Sequence, residues 1–249
     1  MRYGKVISKI GNHGILRRNS ATASHLPETL RFSLETFKQM CQKYNLIYVK
    51  PNDSSQGKGV IRIEKLENGQ FLIKDRDLKG KATVASVQAA YQRILARKMR
   101  GRTYLVQQGI NSVMKSGRAF DIRAHFIRIN GIWTCMGLIG KQAPSLGVVT
   151  NGSSGGVTIL VPTLLRSKLG YSQQKSVETQ SQLEQIAAES VKSISRAYPS
   201  WREFGVDLAI TPNGKIWIYE VNITPGSSLF KRLSPTVYKQ ILANRRRAR

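Results

Sequence analysis

The sequence predicts an α+β protein built as two lobes, and three observations carry that prediction. Apolar runs of strand type alternate with amphipathic helices, but without the even spacing that a doubly wound parallel sheet requires. Two Asn-Gly pairs, Asn130-Gly131 and Asn213-Gly214, each lie between alternating apolar residues and mark antiparallel hairpins. The 249 residues suffice for one domain or for the two lobes of one catalytic unit, and they contain no internal repeat and no long low-complexity linker.

Taken in order, Ser33 is a good N-cap for a helix carrying Leu34, Phe37, Met40, Cys41 and Tyr44 along one stripe. A strand over Leu46-Ile47-Tyr48-Val49-Lys50 stops at Pro51. A second strand around Val60-Ile61-Arg62-Ile63 and a third over Phe71-Leu72-Ile73-Lys74 follow, the third entered through an Asn68-Gly69 turn. Thr83 is placed to cap a helix containing Val84, Val87, Tyr91, Ile94 and Leu95, before a strand at Tyr104-Leu105-Val106-Gln107. These elements make a small lobe over residues 33–107. A large lobe over residues 108–235 holds the two hairpins, the Gly- and Ser-rich loop Asn151 to Gly156, and a helix striped with Leu183, Ile186, Ala187, Ser190, Val191 and Ile194. Residues 236–249 read as a basic C-terminal helix or tail, with Arg245 to Arg249 taken as solvated.

Charge narrows the partners. Forty Lys and Arg against 14 Asp and Glu leave a formal net charge of +26. Such an excess fits a polyanionic substrate, a nucleic acid or an anionic surface, and it fits equally a solvated basic exterior. Nucleic-acid binding rests on the charge alone, because no recognition module with aromatic platforms is present. The two cysteines, Cys41 and Cys135, imply no disulfide framework, and Cys135 in an apolar run reads as a small buried hydrophobe. With no secretory leader pattern and no membrane span, the expectation is a soluble cytoplasmic protein.

The second hairpin carries the chemistry. With Asn213-Gly214 as a two-residue turn, Pro212 pairs with Lys215 and Asp207 falls opposite Glu220. Glu220 and Asn222 then share a face, while Phe204, Val206, Leu208 and Ile210 point into the core. Opposed carboxylates weaken a sheet by about 0.2–1 kcal/mol unless a cation or a shared proton intervenes. Two carboxylates and an amide are hard oxygen donors of the kind magnesium takes, and manganese could serve in its place; the other reading is a pair at the sheet edge neutralised by Lys and Arg. Asp121 and Arg123, two apart on the strand before Asn130-Gly131, share a face with His125, either as a surface ion pair or as contacts to a ribose hydroxyl and a phosphate. The loop from Lys50 to Val60, with Ser55, Gly57, Lys58 and Gly59, could wrap phosphate oxygens, yet it is neither a Walker A sequence nor a dinucleotide fingerprint. His13 and His25 lack companions at metal-ligand spacing.

The ordered set of Lys50-Pro51 with its Gly loop, Gln107-Gln108-Gly109-Ile110, Asp121-Ile122-Arg123, Asn151 with Gly155-Gly156, Asp207, and Glu220-Val221-Asn222 resembles an ATP-grasp ligase over nearly the whole chain. Leu26-Pro27-Glu28-Thr29 and Pro225-Gly226 make it similar to the YheC/YheD group of endospore coat-associated proteins. The resemblance implies an ATP-grasp fold, two α+β lobes enclosing a nucleotide cleft, without a separate N-terminal pre-ATP-grasp domain, and with a spore association. It implies ATP contacts from Lys5, Lys50, Ser55, Gly57, Lys58, Gly59, Gln107, Gln108, Gly109, Ile110, Asp121 and Asn151. Catalytic contacts would come from Arg123 and Lys141, and Mg2+ ligation from Asp207, Glu220 and Asn222. Gln108 stands where the family often has Glu, and Lys141 where many relatives carry Arg, which keeps the charge but loses the planar fork. The implied reaction is an ATP-dependent carboxylate–amine or carboxylate–thiol ligation through an acyl phosphate, with a small molecule or an acidic peptide or protein as substrate. The alternative is a non-catalytic coat-associated protein that binds nucleotide on the same scaffold.

Overall fold

The structure, a computed structural model, describes residues 8–54, 57–75, 80–144, 156–223 and 225–247. The elements run in chain order as α1 (Lys9–Arg17), α2 (Ser20–Ala23), β1 (Thr29–Arg31), α3 (Leu34–Lys43), β2 (Leu46–Pro51), β3 (Ile61–Lys65), β4 (Phe71–Asp75) and β5 (Lys81–Val84). They continue as α4 (Val87–Leu95), β6 (Tyr104–Gln108), β7 (Phe120–Ile129), β8 (Ile132–Gln142), β9 (Val157–Leu160) and the short α5 (Val161–Thr163). A π-helical segment at Leu164–Lys168 precedes α6 (Gln173–Ala197), β10 (Glu203–Ile210), β11 (Ile216–Asn222), α7 (Ser228–Leu233) and α8 (Pro235–Arg247). The α+β class and the ATP-grasp architecture expected from the sequence hold. The contacts divide the described residues into two units, one of residues 8–13 and 27–110, the other of 14–26, 111–144 and 156–247.

The first unit is an antiparallel sheet in the order β1-β6-β2-β3-β4-β5. One face is apolar, with Ile47, Val49, Ile61, Ile63, Ile73 and Val106 buried against Phe37, Met40 and Cys41 of α3 and Ala90 and Ile94 of α4. Ser33 caps α3 as anticipated, in a capping box with Thr36, an arrangement that contributes about 1 kcal/mol. The expected cap at Thr83 is corrected. Thr83 and Val84 lie in β5, paired with Leu72 and Phe71, and Ser86 caps α4 instead through a bond from the Ala89 N–H. β-branched Thr and Val fit the edge strand, and Ser three residues later supplies the same capping oxygen.

The second unit is an antiparallel sheet in the order β11-β10-β7-β8-β9. Phe120, Ile122, Ala124, Phe126, Phe204, Val206, Leu208 and Ile210 fill one face, and α6 packs on it with Leu183, Ala187, Val191 and Ile194 buried. On the opposite face, Ile127 and Ile139 pack under Phe230 of α7 and Ile241 of α8. Asn130 and Gly131 form the anticipated two-residue turn, with φ of 49° and 84° and with Ile129 paired to Ile132. The second hairpin departs from its expected form. Thr211 N–H donates to Lys215 O at 3.0 Å, so Pro212, Asn213 and Gly214 make a three-residue loop with Gly214 at φ 83°. This shifts the pairing by one residue. A bulge at Tyr219, between the pairs Leu208↔Ile218 and Asp207↔Glu220, shifts it back. Asp207 therefore does face Glu220, but through two irregularities that cancel. Arg245 is also corrected: it is held by Glu203 of β10 rather than solvated.

Candidate active site

Side chains alternate along a strand, so residues 121, 123 and 125 of β7 share a face with 203, 205 and 207 of β10, Lys141 of β8, and Glu220 and Asn222 of β11. Asp207 is the centre of that face. Its Oδ1 accepts from Arg123 Nε at 2.8 Å and Lys141 Nζ at 2.9 Å, and its Oδ2 accepts from Arg123 Nη2 at 2.7 Å and Asn222 Nδ2 at 2.9 Å. Lys141 Nζ also lies 2.9 Å from Asp121 Oδ1. Asp121 is only 7% exposed and Arg123 9%, so of the two alternatives for that pair the surface ion pair does not hold.

The electrostatics follow from burial set against partners. Desolvation alone would raise the Asp207 pKa, but the Arg123 and Lys141 charges and hydrogen bonds outweigh it and hold the carboxyl well below the usual range. Burial would likewise lower Lys141 and Arg123, and their carboxylate neighbours, Asp121 and Asp207, raise both. Taking either partner from such a pair leaves a buried charge uncompensated, at a cost of about 3–5 kcal/mol. Gly205 makes room for the cluster, because a Cβ there would lie 2.6 Å from Pro225 Cβ and 3.0 Å from Arg123 Cδ. Sequence reading missed Gly205, although a glycine inside a strand signals close approach.

Next to this cluster, His125 is fully buried with its Nε2 2.7 Å from Glu203 Oε1, and Arg245 clamps Glu203 and also donates to Pro225 O at 3.2 Å. Burial pushes the His125 pKa down despite that carboxylate. Burial pushes the thiols of Cys41 and Cys135 up to about 12, which removes both as nucleophiles at neutral pH.

The donors suit magnesium in kind. Among the described residues no three His, Cys, Asp or Glu side chains gather as a metal site, so a third protein donor would be Asn222 Oδ1, the amide oxygen turned from Asp207 by the Nδ2 contact. Asp207, Glu220 and Asn222 are brought together on one face, and a metal there would have to compete with Arg123 and Lys141 for Asp207.

In the first unit, the sheet face away from α3 and α4 carries Thr29, Tyr48, Lys50, Arg62, Lys74 and Gln107. Lys50 Nζ donates to Gln107 Oε1 at 2.7 Å. Gln108 Oε1 accepts from Glu28 N–H at 3.2 Å, and Gly109 N–H donates to Leu46 O at 2.8 Å. A side chain at Gly109 would collide with the Leu46 backbone, and Ile110 is buried. Gly57 and Gly59 have φ of 74° and 72°, and a Cβ at Gly59 would strike Met99 and Pro51, so the loop following β2 needs glycine there. Lys58 lies between them. Lys5, Ser55 and Asn151 lie outside the described residues.

A family model described as YheC/D like ATP-grasp matches residues 3–245. The chain belongs to the YheC/D-like ATP-grasp family. Two curated relatives from Bacillus subtilis (strain 168) are endospore coat-associated proteins. YheD is 26% identical over 222 residues, covering 88% of this chain and 48% of YheD, and YheC is 23% identical over 241 residues, covering 91% and 62%. The chain thus spans about half the length of one and under two thirds of the other. Among solved structures, the D-cycloserine synthetase DcsG matches with a TM-score of 0.55 at 16% identity, over 96% of this chain and 70% of that one. D-alanyl-alanine synthetase A from Vibrio cholerae matches at 0.57 and 13%, over 98% and 65%. At such identities these ligases share the ATP-grasp fold with this chain. Among the described residues of this family member, no helix is long and apolar enough to cross a membrane.

Proposed function

We propose that this YheC/D-like ATP-grasp protein is an ATP-dependent ligase that joins a carboxylate to an amine or thiol through an acyl phosphate. The observation that carries the reading is the Asp207 cluster, in which two buried cations and two further carboxyl groups converge with an amide on one sheet face. In this reading Asp207, Glu220 and Asn222 Oδ1 hold magnesium, with manganese able to replace it, and the metal supplies charge neutralisation at the phosphates. Arg123 and Lys141 meet the negative charge that spreads over the transferred phosphoryl group, and within the first unit Lys50 and the glycines at 57 and 59 are the phosphate contacts that the family resemblance implies. Asp121 positions Lys141 or accepts from a ribose hydroxyl. A carboxylate oxygen attacks the γ-phosphorus as ADP leaves, and the amine then attacks the acyl carbon as phosphate leaves. Both steps need positioning and charge rather than a protein nucleophile, which accords with the protonated thiols. An acidic peptide or protein is the substrate class that the +26 net charge favours.

A second reading rests on one observation. The four hydrogen bonds into Asp207 already use all of its lone-pair directions, which suits a nucleotide-binding scaffold that never takes up metal. Trapping separates the two. Hydroxylamine added with Mg-ATP and a panel of amino acids and acidic peptides should give hydroxamate and stoichiometric ADP with at least one carboxylate. Nucleotide binding without hydroxamate across the panel would favour the scaffold.

A further inference from the structure

We infer that Thr29 and Gln107 form a directional relay that positions Lys50 for an anion; its functional consequence rests on the reading of Lys50 as a phosphate contact. Thr29 of β1 lies directly opposite Gln107 of β6, and Lys50 of β2 lies diagonally beyond it, beside Tyr48, which is Gln107's partner on that strand. All three side chains therefore project from the face away from the helices.

The bonds run in one direction only. Lys50 Nζ, which can only donate, meets Gln107 Oε1 at 2.7 Å. That fixes the amide with Nε2 toward Thr29 Oγ1, at 2.8 Å. Thr29 Oγ1 accepts this bond because its own proton goes to Pro27 O, 2.9 Å away, which can only accept. An obligate donor at one end and an obligate acceptor at the other leave a single hydrogen-bonding pattern for the chain between them. Thr29 is 8% exposed and Gln107 7%, so the pattern is shielded from exchange with water.

The amide oxygen holds the ammonium by a hydrogen bond and brings no negative charge of its own. Thr29 and Gln107 are positioning residues: neither is required to touch the ligand, and each acts by limiting where the Lys50 charge sits. Thr29→Val keeps shape and volume but leaves Gln107 Nε2 without its acceptor, so the amide is no longer held from its far side and Oε1 no longer offers the Lys50 ammonium a fixed acceptor. The Gln107 side chain is thereby bonded at both ends, to Lys50 and to Thr29.

The test pairs nucleotide titration with an observation made without nucleotide. By calorimetry with ATP and with adenosine, Thr29→Val should weaken ATP by about tenfold, the scale of one charged hydrogen bond, and leave adenosine unchanged. Thr29→Ser should restore ATP binding. Equal losses for ATP and adenosine, or an unchanged ATP affinity, would overturn the relay. In the nucleotide-free protein, the side-chain ammonium resonance of Lys50, assigned by its loss in Lys50→Arg, should exchange slowly with water, and it should vanish into fast exchange in Thr29→Val. Fast exchange in the wild type would overturn the relay even if the valine variant does not fold. A wild type with the protected resonance but no ATP binding would keep the relay and reject the phosphate reading of Lys50.

Discussion

Each sheet buries one face under helices and gathers charged side chains on the other, which in the second sheet is itself partly covered by α7 and α8, and the two settle that charge by opposite means. In the first unit Lys50 is fixed by a neutral amide, and Arg62 and Lys74 lie on the same face with Glu64 bonded to Arg62 at 2.7 Å. In the second, Arg123 and Lys141 are buried against Asp207 and Asp121, with Glu220 paired across the hairpin. Cations exceed acids on the first face, and acids exceed cations on the second. A surface of the first kind attracts anions. One of the second kind is already near internal balance, and an added divalent cation has to compete with the side chains that neutralise it.

That contrast can be broken at several points. The largest effect is expected from Asp207→Asn, which strands the buried Arg123 charge while Lys141 keeps Asp121, and which should cost about 3–5 kcal/mol in urea denaturation. Lys50→Met on the first face should cost about 1–3 kcal/mol for the buried Gln107 Oε1 it leaves unbonded and, on the reading of Lys50 as a phosphate contact, weaken ATP by about 1.5–3 kcal/mol, read by calorimetry. Gly205→Ala should lose about 1–3 kcal/mol by pressing on Pro225 and Arg123, a strain visible as a lower denaturation midpoint. The smallest effect is a pH dependence. The folded pKa of His125 lies below its ordinary value because of burial, with Glu203, Arg245 and Arg123 as its charged neighbours. The unfolded chain therefore binds the proton more readily, and the stability that neutral His125 contributes is present above about pH 6.5 and lost as pH falls below it. His125→Gln should flatten that part of the wild-type stability profile.

The strand periodicity made much of this legible. Alternation placed Asp121 with Arg123 on one face of β7 and Asp207 with Glu220 and Asn222 on one face of the last hairpin, and Ser33 announced α3 correctly; only the pairing of β7 with β10 makes those two faces one. What stayed hidden depended on contacts distant in sequence. The three-residue loop and the bulge at Tyr219 cancel, and nothing local distinguishes that pair from a tight turn and a regular ladder. Thr83 and Ser86 both have capping oxygens, and the partner strand β4 decided between them. Arg245 looked like a solvated tail because its acceptor, Glu203, lies 42 residues earlier. The resemblance implied an ATP contact from Gln107, and no local pattern announced that its side chain bonds Lys50 and Thr29 across the sheet.

The most direct measurement is calorimetric titration of ATP with and without magnesium, on the wild type and on Glu220→Gln. Glu220 stands opposite Asp207, and the substitution removes one negative charge while keeping the side chain's size. Binding that requires magnesium in the wild type, and that loses this requirement or disappears in the variant, is the predicted result. Binding of equal strength in both proteins and indifferent to magnesium would contradict the assignment of this face to a metal-nucleotide.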